Sequence, residues 1–372
     1  MSPPSTVPRS DPATPYAPRL LADWLAETPD ATHRDIDGTV AFVDISGFTA
    51  LSERLARRGR VGAEDLADTI GTCFERLLAV AYDHGASLLK FGGDALLLLF
   101  TGDDHVAHGC RAADRMQQAL RTMGPIAGDG RPITLRMSIG LHTGRFHVFL
   151  VGDSHRELVI SGPAASEVVR MEQTAERGEI VISEAVAGQL PSAVLGPPKG
   201  PGRLLRRAPP HLPVRSELAA PALPVDLTPC LPVALREHLL SGAVEPEHRS
   251  VTVAFLQFTG TDQLIADLGV AATAAEIERL VRDTQAAVDR HGVTLLGSDI
   301  DLNGGKLMLA AGAPVTTGAD DSQMLVALRE VLGAERALTV RAGVNRGDVF
   351  AGTIGPHYRR TYTVMGDAVN LA

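Results

Sequence analysis

Four segments of the chain occur twice, in the same order, and this doubling limits the possible folds more than any other feature. TVAFVDI at 39–45 returns as TVAFLQF at 252–258, and GASLLKFGGDALLLLFTGD at 85–103 as GVTLLGSDIDLNGGKLMLAAGAP at 292–314. LRMSIGLHTGRFHVFLVG at 135–152 is matched by LTVRAGVNRGDVFAGTIG at 338–355, and ELVISGPAASEVV at 157–169 by TYTVMGDAVNLA at 361–372. A repeat of this length means two copies of one structural unit. The copies are expected at 36–190 and 248–372. Residues 191–247 are Pro-rich and aperiodic and read as an extended, semi-rigid linker. Residues 1–35 read as a flexible leader followed by a short helix over LLADWLAET. Such a linker can bring the copies face to face as an intramolecular pseudo-dimer, with a pocket at the seam.

Within the first copy, apolar runs bounded by Gly predict strands and the longer amphipathic stretches predict helices. TVAFVDIS is the first strand, and a long helical stretch ends at Gly85. SLLKFG and ALLLLF form a hairpin turned at Gly92-Gly93. A helix over DDHVAHGCRAADRMQQALRTM is expected to be capped by Asp103 or Asp104. TLRMSIGLHTG and RFHVFLVG read as a second hairpin. RELVIS is a strand, GPAASEVVRMEQTA a helix and GEIVIS a closing strand. The order β-α-β-β-α-β is the ferredoxin-like arrangement, an α+β sheet with helices on one face.

The two copies differ in chemistry. The first carries one carboxylate in each of two apolar strands, Asp44 and Asp94, and a buried ionised carboxylate needs a positive partner. Either Asp alone reads as readily as a cap or strand end. Together they suggest a shared Mg²⁺ site, because Mg²⁺ is held by one or two carboxylates plus substrate phosphates. Ile45-Ser46-Gly47-Phe48-Thr49 then leads from strand to helix, where free amides suit a polyphosphate. In the second copy Gln257 stands at the position of Asp44, and the alignment of the repeats puts Lys306 at that of Asp94. Only one of the two related pockets can therefore hold metal. Neither Gln257 nor Lys306 is expected to matter for chemistry.

A net charge of −9 argues against a nucleic-acid partner. Three dispersed cysteines give neither a disulfide framework nor a zinc site and fit a reducing cytoplasm. The longest apolar runs are too short to span a bilayer, and the N-terminus lacks the apolar core of a signal peptide.

VDISGFT, KFGGDALL and YTVMGDAVNLA, found together and in this order, resemble the class III nucleotidyl cyclases, most closely the tandem catalytic domains of soluble adenylyl cyclase. The resemblance covers nearly everything outside leader and linker. It implies two domains packed head to tail as a pseudo-dimer that converts ATP to 3′,5′-cyclic AMP and pyrophosphate. It also implies two Mg²⁺ (or Mn²⁺) on Asp44, Asp94 and the carbonyl of Ile45, with amides of Ser46, Gly47, Phe48 and Thr49 holding the polyphosphate. Asn370 matches the residue that orients the ribose and Thr363 the one that meets the adenine. Their competing readings are a helix-start polar residue and an ordinary strand Thr.

The departures are informative. The adenine-recognising Lys of the family has no clear match, and Asn303 or its neighbours occupy its region. Ser138 stands where relatives carry a basic triphosphate contact. The phosphate-binding Arg would fall at 374, so a longer protein with an effector or ATPase-type module beyond 372 is expected. The family's regulatory bicarbonate site, in the degenerate pocket, maps onto Lys90 and, offset by one residue, Arg170. A solvent-facing Lys and a helix-surface Arg are the competing readings there. Rival functions are a cyclase-like nucleotide-binding regulatory module without turnover, a guanylyl cyclase, and a diguanylate cyclase. The last is disfavoured because Ala95 replaces the second acidic residue of the GGDEF signature.

Overall fold

The computed structural model describes residues 12–56, 59–126, 132–210, 213, 225–240 and 245–372. After helix α1 (Arg19–Glu27) the first half runs β1 (His33–Ser46), α2 (Phe48–Ala56), α3 (Gly59–Tyr82), β2 (Ala86–Gly92) and β3 (Ala95–Phe100). It continues through α4 (His105–Met123), β4 (Arg136–Val151), β5 (Glu157–Ser161), α5 (Pro163–Thr174), β6 (Ile180–Ser183), α6 (Glu184–Ala187), β7 (Leu195–Lys199) and β8 (Gly202–Leu205). Helix α7 (Val233–Leu240) precedes the second half: β9 (Glu247–Thr259), α8 (Thr261–Arg290), β10 (Thr294–Asp301), β11 (Gly304–Ala311), α9 (Asp320–Leu332), β12 (Thr339–Ile354), β13 (Thr361–Met365) and α10 (Asp367–Asn370).

Both halves build the same five-stranded core, β2-β3-β1-β4-β5 in the first and β10-β11-β9-β12-β13 in the second. Strand β3 is buried along its whole length, as its unbroken apolar run predicts. Helices α3 and α4 cover one face of the first sheet, with Phe74, Leu77, Cys110 and Met116 fully buried against Leu96, Leu98 and Ile139. The other face is covered too, by Trp24 of α1, by Leu227 and Leu231, and by Ile300 from the second half. Burying both faces of a sheet this apolar removes its exposed hydrophobic surface from water.

Several elements differ from the sequence reading. TLRMSIGLHTG and RFHVFLVG are one strand, β4, because β1 is long enough to pair it from Ser46↔Arg136 to His33↔Phe149 without a turn. Asp104 sits at the start of α4 with φ +58° and makes no side-chain cap there. The expected linker is structured at its start. Residues 195–205 form the β7–β8 hairpin, which joins the first sheet through β8 on β6. Its described remainder includes α7. Part of the leader is also ordered: Arg360 N–H donates to the Pro15 carbonyl at 2.6 Å, tying residues before α1 to the second half.

The halves pack around a pseudo-two-fold axis. The loop after β4 docks on α8, where the Gln285 side chain accepts from the amides of Asp153 (2.7 Å) and Ser154 (3.2 Å) and donates to the His155 carbonyl (2.8 Å). Strand β5 meets β10 at the centre. There the buried Glu157 carboxylate accepts from Lys90 Nζ and from both the amide and the hydroxyl of Ser298.

Candidate active site

Strand β1 delivers Asp44 to the tip of the sheet, with Ala95 of β3 on one side and Ser138 of β4 on the other. Asp94 lies in the β2–β3 turn, and its carbonyl accepts from Ile45 N–H at 3.2 Å. The two carboxylates are therefore held together by backbone pairing rather than by their own side chains. Burial raises both above the usual carboxylate range. Asp94 is pushed up to about 7, by burial first and then by the charge on Asp44. For Asp44 the positive charges of Lys306 and Arg177 offset part of that rise. Two buried acids that raise each other's proton affinity make a site that gains from a cation. The donor set of two carboxylates and an adjacent carbonyl fits Mg²⁺ or Mn²⁺. Among the described residues no cluster of three or more His, Cys, Asp or Glu forms a closed metal cage, so phosphate oxygens or water would complete the coordination.

The chain turns from β1 into α2 at Gly47, whose φ of +116° disfavours a side chain. The amides of Ser46, Gly47, Phe48 and Thr49 sit at that strand-to-helix turn, and Leu51 N–H already bonds the Gly47 carbonyl. The first amides of α2 lack intrahelical partners and suit an anion. Ser46 Oγ donates to the Arg136 carbonyl at 3.3 Å. The side chain of Thr49 lies outside the described residues.

A cavity of about 300 Å³ opens at the seam beside Asp94. Its far wall comes from the second half: Thr363 on β13, Asn370 on α10, and Phe255 with Met308. The pocket thus brings together Asp94, Phe48, Thr363 and Asn370 from the sequence-based set, with Asp44 and Ile45 directly behind Asp94.

Asn303, Lys90 and Arg170 lie elsewhere. Asn303 occupies the β10–β11 turn with φ +55°. Its Oδ1 accepts from Asp262 N–H and its own amide donates to Ser166, so it shapes a turn and does not line the pocket. Lys90 is ion-paired to Glu157 at 2.7 Å and donates to Ser298 Oγ. Arg170 is ion-paired to Glu167 on the open face of α5. A regulatory anion site on Lys90 and Arg170 is therefore not assembled. The degenerate counterpart of the cleft is filled instead by Ile300 and Leu302, packed with Leu97, Ile160 and Ala165.

Three residues of the site escaped sequence reasoning. Lys306 pairs with Gln257 across β9 and β11, whereas Asp44 pairs with Ala95. Lys306 is thus the counterpart of Ala95, and Gly305 that of Asp94. Its ammonium enters the cleft, 3.5 Å from Asp299 and 5.7 Å from the centre of the Phe255 ring. Counting back from the ends of β3 and β11 would have revealed this, because the β10–β11 turn is longer. Asp299 itself lines the same wall. Glu172 on α5 accepts from Ser138 Oγ at 3.0 Å and is pushed up to about 7 by burial and then by Asp44. It reaches this position because Gly140 lets α5 press on β4: a Cβ there would lie 2.1 Å from the Glu172 nitrogen.

The comparisons with known proteins agree with this geometry. Adenylate cyclase type 10 of Mus musculus is 25% identical over 168 residues, covering 44% of this chain and 10% of its own length. Guanylate cyclase 2G of Rattus norvegicus is 28% identical over 159 residues, covering 39% of this chain and 14% of its own. The chain therefore spans about a tenth of the first relatives' length. In fold, it matches a class III adenylyl cyclase-like ATP-binding protein from Pseudomonas aeruginosa with a TM-score of 0.61 and 14% identity, over 91% of this chain and 80% of that one. The family model for the adenylate and guanylate cyclase catalytic domain matches residues 32–195 and again 243–372. Two matches that together take in most of the chain, on two halves that share one fold, show that the chain belongs to the class III adenylate and guanylate cyclase family.

Proposed function

We propose that the chain is an adenylyl cyclase that converts ATP to 3′,5′-cyclic AMP and pyrophosphate at the seam of its two halves. The observation that carries this reading is the single cavity in which Asp94 of one half faces Thr363 and Asn370 of the other. Asp44, Asp94 and the Ile45 carbonyl would hold two divalent cations, which when bound favour ionisation of the ribose 3′-hydroxyl and offset charge on the phosphates. The chain's own groups do the rest. Amides of Ser46 to Thr49 receive the polyphosphate, Asn370 orients the ribose, and the wall of Phe255 and Met308 holds the base away from water. The Thr363 hydroxyl can both donate and accept, which suits an adenine edge. Attack in line with the departing pyrophosphate then needs positioning and charge compensation and no covalent enzyme intermediate.

Formation of cyclic AMP and cyclic GMP from ATP and GTP, with Mg²⁺ or Mn²⁺, tests this directly against Asp44→Ala. Cyclic AMP from ATP well above the variant is expected. A preference for GTP would overturn the role of Thr363, and no product above the variant would overturn the enzyme. One observation favours a second reading, nucleotide binding without turnover. The triphosphate end of the cleft presents the Glu172 carboxylate beside Ser138, where a cation would be more useful. Tight ATP binding without cyclic product would establish it.

A further inference from the structure

Arg359 lies in the turn between β12 and β13 and is buried, with 6% of its surface exposed. Its Nη1 donates to the carbonyls of Arg360 (3.1 Å) and Pro15 (3.4 Å), and its Nη2 to that of Leu89 (3.4 Å). Its plane lies over Phe91, 5.4 Å from the ring centre. Nε has no partner, and no carboxylate among the described residues is ion-paired to it. A guanidinium held out of water by carbonyls alone, with an idle donor, is an unfavourable arrangement unless something negative joins it.

The space for that partner is present. A second cavity, of about 110 Å³, lies at the seam beside Arg359 and is separate from the catalytic pocket's carboxylates. Arg156 lines it as well, with Nη2 on the Leu150 carbonyl at 3.2 Å and no ion pair among the described residues. Lys90 and Glu157 also line it, but they neutralise one another. The balance is two positive charges around an enclosure large enough for a small ion. The free Nε and the weakly engaged Nη2 form one edge of the guanidinium fork, the edge that grips planar oxyanions bidentately. The nearby Glu157 carboxylate disfavours a doubly charged guest.

We propose that this cavity binds a small, planar, monovalent oxyanion of the carboxylate, nitrate or bicarbonate type, gripped by Arg359 and supported by Arg156. The site lies between residues before α1, the β2 strand and the β12–β13 turn, so its occupant ties both halves together. It also touches the catalytic pocket, because Phe91 and Thr361 line both cavities. Phe91 precedes Asp94 by three residues and Thr361 precedes Thr363 by two. Occupancy therefore stiffens the two segments that carry the metal carboxylate and the base contact.

The test reads binding and is independent of turnover. The full chain is melted in rising formate, nitrate or bicarbonate at constant ionic strength, with gluconate as the bulky replacement and sulfate as the divalent comparison. A saturable rise of several degrees is expected for the three small oxyanions, absent with gluconate and sulfate. Arg359→Gln should abolish it, and Arg156→Gln should weaken the apparent affinity roughly tenfold, the loss of about one charge-assisted contact. Arg156 is partly exposed, so its variant reports even if Arg359→Gln fails to fold. No saturable shift in the unaltered chain, an equal shift with sulfate and gluconate, or an unchanged shift in Arg156→Gln would each overturn the site.

Discussion

At the scale of single residues, the site depends on which carboxylates are buried together and which cations face them. Asp44 and Asp94 were legible in the sequence because a lone acid in an apolar strand stands out. Lys306 was misread because alignment of the repeats by their Gly-Gly pairs hides the longer β10–β11 turn, and only strand pairing reveals its rung. Glu172 was invisible, since its closeness to Asp44 depends on how tightly α5 presses on β4. Asp94→Asn should abolish cyclase activity, by two decades or more, because groups that hold a catalytic metal supply several kcal/mol. The same change should raise the thermal midpoint of the metal-free protein, because it removes a buried acid that burial and Asp44 both disfavour in its charged form. Unchanged turnover, or a lowered midpoint, would remove Asp94 from the metal site. Lys306→Ala, expected from sequence to be silent, should instead raise the KM for nucleotide about tenfold, the worth of one partly exposed charged contact. Steady-state kinetics and equilibrium nucleotide binding read this out, and an unaltered KM would place the ammonium outside the substrate's reach.

Elements were legible where a period was clear and misread where pairing decided. The apolar runs of β1, β2 and β3 announced themselves, and so did the amphipathic helices. Nothing local says that β4 passes Thr143-Gly144 without turning. That follows from the length of β1, whose residues down to His33 continue the ladder. Likewise LGPPKGPGRLL carries enough Pro and Gly to read as linker, yet it closes into a hairpin on β6. The contact between α5 and β4 is the element-level feature on which the catalytic tip depends. Gly140 allows it, since any Cβ would collide with backbone of Glu172 and Met171. Backbone collisions cannot be relieved by a rotamer change. Gly140→Ala should therefore cost about 2–4 kcal/mol, measured by urea unfolding. It should also lower cyclase activity by moving Glu172 and Ser138 relative to Asp44. A variant of unchanged stability would show that the helix can retreat freely, and that the tip does not rely on it.

At the scale of the molecule, the repeat and the inequality of its copies predicted two halves and one working pocket. What sequence could not show is how the halves are locked. Glu157 and Ser298 lie on strands of different halves, and their pairing exists only once the sheets meet. Burial alone would raise the Glu157 carboxyl, but Lys90 and then His155 outweigh it and hold the group well below the usual carboxylate range. An acid that releases its proton more readily when folded stabilises the fold. That contribution is complete above the unfolded-state pKa, near 4.3. It is lost as pH falls below that value toward the lower folded one, at up to about 1.4 kcal/mol per pH unit. Glu157→Gln removes the charge and leaves Lys90 buried without a counter-ion, which should cost roughly 3–5 kcal/mol at neutral pH. The unaltered chain should then lose stability steeply between about pH 4 and 3, while the variant, already weakened, should change less over that window, so the two curves converge in acid. Denaturant unfolding at a series of pH values reads both. The indole of Trp24, buried in the first half, and helical ellipticity, to which α8 of the second half contributes, provide two signals. If the pair locks the halves, the two signals coincide in the unaltered chain and separate in Glu157→Gln. Parallel pH curves, or signals that already separate in the unaltered chain, would show that the seam is held by other contacts, of which the Gln285 bonds to the loop after β4 are the next to remove.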